Sequence, residues 1–247
     1  MNLLCKTKKR RLGYNLMELA LVLGVAGITL GAIWQISTII YDNVRTQRAY
    51  EETITVVNNV RGGYAGRLGI PRLGLNGLSA SFIQENIIPA DMERLPIANT
   101  CRNCNNRCAD TPWGKADPSG GNAIDPNGTF RVCDWDLSST PPQTSCKAQN
   151  CATPPAGSTQ LFAVDIRNIS VDACVQLTAK LSGPAAPAGI YDVNINGCNI
   201  LEGSGCGAAP PTRVLPVTAK DMSAHCSLSN SRNILRLVYQ LRLPTIN

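Results

Sequence analysis

The sequence predicts an α+β protein in which one long N-terminal helix carries a head of short helices and strands reinforced by disulfides. Three observations predict it. Leu19 to Tyr41 is an uncharged run that continues into an amphipathic pattern as far as Gly62-Gly63. Strand-like patterns recur from Leu161 to the C-terminus, and ten of the eleven cysteines follow the apolar run. At 44% apolar and 16% charged residues the composition is that of a folding chain, but aromatic residues reach only 5%, so the core must be aliphatic.

The 23 Lys and Arg against 17 Asp and Glu give a formal charge of +6. Such an excess suggests an anionic partner only when it lies on one folded surface. Here Lys6, Lys8, Lys9, Arg10 and Arg11 crowd the first thirteen positions, which hold no acid. Without them the count is 18 basic against 17 acidic, close to neutral, so no nucleic-acid partner is expected. The uncharged run that follows would span about 35 Å as a helix at ~1.5 Å per residue, enough to cross a hydrocarbon core of ~30 Å. A basic cluster on its N-terminal side predicts that the N-terminus stays cytoplasmic and that everything after Asp42 is exported. The cysteines are then in an oxidising compartment.

An ordinary secretory signal does not explain Glu18, a carboxylate at the mouth of the apolar run within Gly13-Tyr14-Asn15-Leu16-Met17-Glu18. A carboxylate facing lipid costs a few kcal/mol, so it needs a partner, a function or an interfacial position. Ala20, Gly24, Gly27 and Gly31 recur at three- and four-residue spacing and form a small-residue face that lets helices approach closely. Together, a basic leader ending in Gly13, a hydrophobic residue at Tyr14, a glutamate five residues after the Gly13–Tyr14 bond, and Gly24 and Gly27 in Val22-Leu23-Gly24-Val25-Ala26-Gly27 resemble the type IV pilins. The resemblance is to the type IVb branch, with its toxin-coregulated, bundle-forming and conjugative thin pilins.

The resemblance implies a leader, residues 1–13, removed by prepilin peptidase after Gly13, and N-methylation of Tyr14. It implies a spine helix over 14–61, transmembrane before assembly, and a globular head over 62–247. Partners would be the peptidase, the inner-membrane assembly platform and further copies of the chain. Location would change from the bacterial inner membrane to an extracellular filament serving adhesion, aggregation or conjugative contact. Glu18 would neutralise the Tyr14 amine of a neighbouring subunit, because an unpaired charge in a dry helix bundle is very costly. Gly24 and Gly27 would let the helix loosen during assembly, each weakening it by about 1 kcal/mol relative to Ala. Two other readings of the same chain are a pseudopilin of a type II secretion system and a membrane-anchored binding protein that never polymerises.

Ile36, Ile40 and Val44, then Tyr50, Ile54 and Val57, recur near helical spacing, and beyond Asp42 they predict the stripe that packs on the head. Ser79 can cap a short helix through Ile87. Residues 101–158 read as a Pro-, Gly- and Asn-rich insert without a core of its own. They contain Cys101, Cys104, Cys108, Cys133, Cys146 and Cys151, whose pairing the sequence does not choose. Zinc is not expected there, because the spacings are irregular and the one histidine, His225, is far off.

Then come a strand over Leu161–Ile166, a helix capped by Ser170 through Leu181, a strand over Ile190–Ile195 turning at Asn196-Gly197, a helix opened by Thr218-x-x-Asp221, and a half-buried C-terminal strand that closes the sheet. The resemblance makes the sheet antiparallel and carries over a bridge between Cys174 and Cys226 bounding the region 174–226. It leaves Cys198 and Cys206 as a local pair, although Cys198 and Cys226 could exchange roles. No nucleophile elbow, phosphate loop or metal motif is present, so neither catalysis nor a cofactor is expected, and His225 reads as a packing or surface residue.

Overall fold

The computed structural model describes residues 16–71, 82–93, 108–114, 129–136, 143–144, 158–207, 211–226 and 233–242. Its elements are α1 (Leu16–Tyr64), β1 (Ile70–Pro71), β2 (Phe130–Asp136), β3 (Gln143–Thr144), β4 (Ser158–Thr159), β5 (Leu161–Ile169), α2 (Val171–Ser182), β6 (Ile190–Ile195), β7 (Cys198–Asn199), α3 (Ala219–His225) and β8 (Asn233–Gln240). A six-stranded sheet runs in the order β3-β2-β5-β8-β6-β7 with every neighbouring pair antiparallel. A second, two-stranded sheet joins β1 to β4. This is the α+β, disulfide-bonded arrangement of a long N-terminal helix and an antiparallel sheet that the sequence predicts. The chain divides after Asn43 into two compact units.

In the second unit one face of the sheet receives helices. Phe162, Val164 and Ile166 of β5 and Leu235, Leu237 and Tyr239 of β8 share a core with Ala49, Val56, Val57, Val60 and Tyr64 of α1 and with Cys174, Leu177 and Leu181 of α2. Each large side chain so buried contributes about 1.5–3 kcal/mol. The helix stripe is therefore displaced from the one expected: Val57 is fully buried, whereas Tyr50 and Ile54 only flank the core. Ala49 and Thr53, two small residues, are buried along the same stretch. Helix α1 also runs through Gly62-Gly63 to Tyr64, whose buried ring stands 5.7 Å from that of Phe82. A Cβ at Gly62 would meet nothing within 4 Å, so that glycine is not required by crowding.

Two further readings are corrected. Part of the supposedly coreless insert is β2, which pairs with β5 over Phe130–Trp135 and buries Phe130 and Val132 against the main core. The C-terminal strand, expected to be half-buried, is covered on both faces: β8 sits between β5 and β6, and Val238 on its second face is fully buried with Cys133, Trp135 and Ala163. A strand covered on both faces loses the clean alternation of a half-buried one. The same second face carries a polar row in register across four strands: Arg131, Asp165, Arg236 and Asn194. Asp165 is fully buried and accepts both Arg236 Nε and Arg236 Nη2, the latter at 2.7 Å, and Arg167 at 3.2 Å. Burial pushes its carboxyl up, but Arg236 foremost, with Arg167 and Arg131, outweighs that and holds it below the ordinary range.

The local predictions on the remaining elements can be followed atom by atom. Ser170 accepts the N–H of Ala173 at 3.2 Å and starts α2, whose Cys174, Leu177, Thr178 and Leu181 are fully buried. Asn196 and Gly197, at φ 52° and 97°, make the tight turn from β6 into β7. Thr218 caps α3 by accepting the N–H of Asp221 at 3.2 Å. Ser79 lies outside the described residues.

Candidate assembly surface

The first half of α1 is built from side chains that no part of its own unit covers. Leu16, Met17, Leu21, Leu23, Ile28, Leu30, Ile33 and Trp34 all stand exposed. Its Ser and Thr hydroxyls turn back onto the helix: Thr29 donates to the carbonyl of Ala26 at 2.9 Å, Ser37 to Ile33 at 2.8 Å and Thr38 to Gln35 at 2.8 Å. Hydroxyls satisfied within the helix leave its outer surface largely apolar, which suits a medium with no hydrogen bonds to offer. The helix is long and apolar enough to cross a membrane.

Glu18 sits in the first turn, where a carboxylate also complements the partial positive charge of a helix start. At about 100° per residue, Ala20, Gly24, Gly27 and Gly31 occupy one stripe of roughly 60°, with Glu18 on the opposite side. Nothing lies within 4 Å of a Cβ placed at Gly24, Gly27 or Gly31, so the small-residue stripe faces open space. Near its start the helix surface thus offers an acid on one side and a track for a neighbouring helix on the other. Gly13 and Tyr14 lie outside the described residues.

In the second unit α1 is fastened by polar contacts as well as by its stripe. Arg61 donates from Nε to the carbonyl of Gln240 at 3.1 Å, and its guanidinium stands 5.6 Å from the centre of the Tyr239 ring. Asn59 donates to the carbonyl of Ile87 at 2.9 Å, Lys180 to Gln47 at 2.8 Å, and Tyr50 to the carbonyl of Ala185 at 3.2 Å. Arg48 bridges Glu52 at 2.7 Å and Asp91 at 2.9 Å.

The structure brings Cys174 and Cys226 together in a disulfide that closes 52 residues, and Cys198 and Cys206 in one that closes eight. The first pair is buried and ties α2 to the end of α3; it is the region's main covalent brace. The second ties β7 to the loop after it, and His225 Nε2 lies 3.6 Å from Cys198 Sγ. Cys108 and Cys133 are buried half-cystines. Cys101, Cys104, Cys146 and Cys151 lie outside the described residues. The contact of His225 with Cys198, rather than only with its chain neighbour Cys226, is a feature sequence reading missed. So is the ionic row, whose one signal is an Asp inside the apolar run Leu161–Ile166.

No family model and no curated protein matches the chain. Among solved structures, it is similar to the crystal structure of type IV b pilin from Salmonella typhi, at 15% identity and a TM-score of 0.44, over 80% of this chain and 97% of that one.

Proposed function

We propose that the chain is the structural subunit of a type IV pilus of the IVb kind, with no catalytic role, that polymerises through the first half of α1 into a surface filament for adhesion, aggregation or conjugative contact. The observation that carries this reading is an apolar helix surface, exposed on all sides, whose first turn holds one carboxylate. A membrane anchor alone needs the apolar surface and gains from Glu18 only its modest complement to the helix start. A dry helix bundle needs both, because the carboxylate is what neutralises a neighbour's N-terminal amine and thereby sets the axial register.

In this reading, prepilin peptidase cuts on the cytoplasmic side after Gly13 and the Tyr14 amine is methylated. The mature subunit waits in the inner membrane and the assembly platform moves it into the filament, where copies of the helix replace lipid around the stripe of Gly24, Gly27 and Gly31. Replacing Gly13 with Leu should leave an unprocessed precursor in the inner membrane. Mass spectrometry of that variant finding a chain that begins at Tyr14 would refute the leader assignment.

A further inference from the structure

We propose that Arg61, Arg67 and Arg242 form a binding surface for an acidic polysaccharide. The proposal concerns the head alone and does not depend on filament assembly. The surface lies where the last turn of α1 and the chain just after it meet the end of β8. Arg61 donates from Nε to the carbonyl of Gln240 at 3.1 Å and from Nη2 to that of Ala188. Two residues beyond Gln240, Arg242 donates from Nη2 to the carbonyl of Arg67 at 2.6 Å. These links run between the same short segments of chain and gather three cations at one corner of the head.

Each of the three is held in place and none is neutralised. The Arg61 guanidinium stands 5.6 Å from the centre of the Tyr239 ring, and that of Arg67 stands 5.1 Å from the centre of the Tyr64 ring. Packing on a ring orients a guanidinium while the N–H donors at its edge stay available to a partner. Arg67 and Arg242 are exposed and Arg61 is half-buried. Arg48, Arg167 and Arg236 each meet a carboxylate, but among the described residues no acid pairs with Arg61, Arg67 or Arg242. Glu85, which accepts the Tyr64 hydroxyl at 3.5 Å, is in the same neighbourhood without bridging to them. Burial pushes the Arg61 guanidinium below its ordinary range, and among the described residues no carboxylate offsets this. Arg61 lies in the last turn of α1, where a cation complements the helix dipole, yet its donors go to Gln240 and Ala188 rather than to the helix's own last carbonyls. A cation partly withdrawn from water without a counter-ion gains from one supplied from outside.

The guanidinium fork matches the paired oxygens of a carboxylate or a phosphate, so the group recognised is an oxyanion. The three cations rest on separate supports: the Gln240 carbonyl for Arg61, the Tyr64 ring for Arg67 and the Arg67 carbonyl for Arg242. Such an arrangement suits charges repeated along a chain better than one small ion. Single-stranded nucleic acid fits less well, because it gains from exposed rings on which bases stack, and Tyr64 and Tyr239 are only 2% and 0% exposed. An acidic polysaccharide asks only for charge and for donors at the guanidinium edge.

The test uses the full chain in neutral detergent, with Lys6, Lys8, Lys9, Arg10 and Arg11 replaced by Gln so that they do not attract the probes. Fluorescence anisotropy with labelled polygalacturonate, which carries carboxylates, and labelled phosphomannan, which carries phosphates, should show binding that weakens with added salt. Neutral dextran should not bind. Binding of either acidic polymer supports the proposal, and the tighter of the two names the oxyanion. Arg67→Gln with Arg242→Gln should weaken binding about tenfold or more. Arg213→Gln with Lys220→Gln, an equal loss of exposed charge elsewhere on the head, should leave it within about twofold. Four results would each overturn the proposal: no binding of either acidic polymer, equal losses in the two double variants, tighter capture of oligothymidylate than of both polysaccharides, or self-association of the chain that Arg67→Gln with Arg242→Gln abolishes.

Discussion

The two halves of α1 are continuous in sequence and opposite in circumstance. Before Asn43 the helix is apolar on every side, with Ile28 and Trp34 about three-quarters exposed. After it, Ala49, Thr53, Val56, Val57 and Val60 are buried along one stripe, and Arg61, Asn59 and Arg48 tie the flanks to the head. A helix with one apolar stripe has its partner specified by its own chain; a helix apolar all round must be surrounded by something else that is apolar. The second half thus belongs to the folding of the subunit. The first half, by our proposal, belongs first to lipid and then to other copies of itself.

The largest effect should come from removing the acid at the start of the first half. Glu18→Val should leave the subunit folded and its leader cut, yet give no filaments when it is the sole subunit; abundant normal filaments from that variant would defeat the amine-pairing argument. The second half's support is broken next by Asp165→Asn, which leaves Arg236 and Arg167 without their carboxylate. A loss of about 3–5 kcal/mol in denaturant unfolding of the detergent-solubilised chain is expected, because a buried charge left unpaired is strongly destabilising. A loss under 1 kcal/mol would show that the row carries no weight.

A matched pair of trimmed side chains sharpens the contrast between the halves. Val57→Ala, in the head core, should cost about 2 kcal/mol in the same unfolding measurement, while Ile28→Ala should cost near zero. Equal losses would mean that the first half is packed within the subunit after all.

The smallest effect is a pH dependence that belongs to the head alone. Asp192 is fully buried; its Oδ1 accepts the N–H groups of Val193 at 2.8 Å and Leu201 at 2.9 Å, while Oδ2 has no hydrogen-bond partner. Burial, with some repulsion from Glu202, raises its carboxyl from 3.8 to about 6. The folded state therefore keeps a proton that the unfolded chain has lost between about pH 4 and 6, so head stability should fall as pH rises through that window and then level off. Asp192→Asn should flatten this slope. Asp165, held low, acts in the opposite sense and below that window: its contribution is present above the ordinary carboxylate range and is lost as pH falls through it. An unchanged slope in Asp192→Asn would remove Asp192 as the source.

Local chemistry was the most legible part of the sequence. Ser170, Asn196-Gly197 and Thr218 act through atoms a few residues away, so their roles can be read without knowing the fold. The apolar first half and its acid were equally plain, because a charge within such a run stands out. What could not be read depends on contacts distant in the chain. Ala49 and Thr53 look unremarkable until a sheet lies against them, and β2 has its apolar residues divided between two faces by Arg131 and Asp134. The interior place of β8 follows from pairings with β5 and β6, which no period within β8 encodes.

The account rests on the exposed half of α1 being an assembly surface. Electron microscopy of filaments sheared from cells that express the chain, with mass spectrometry of their main protein, tests this most directly. We predict filaments composed chiefly of this chain beginning at Tyr14. Cells that produce and process the chain yet hold all of it as single subunits in the membrane would contradict the account.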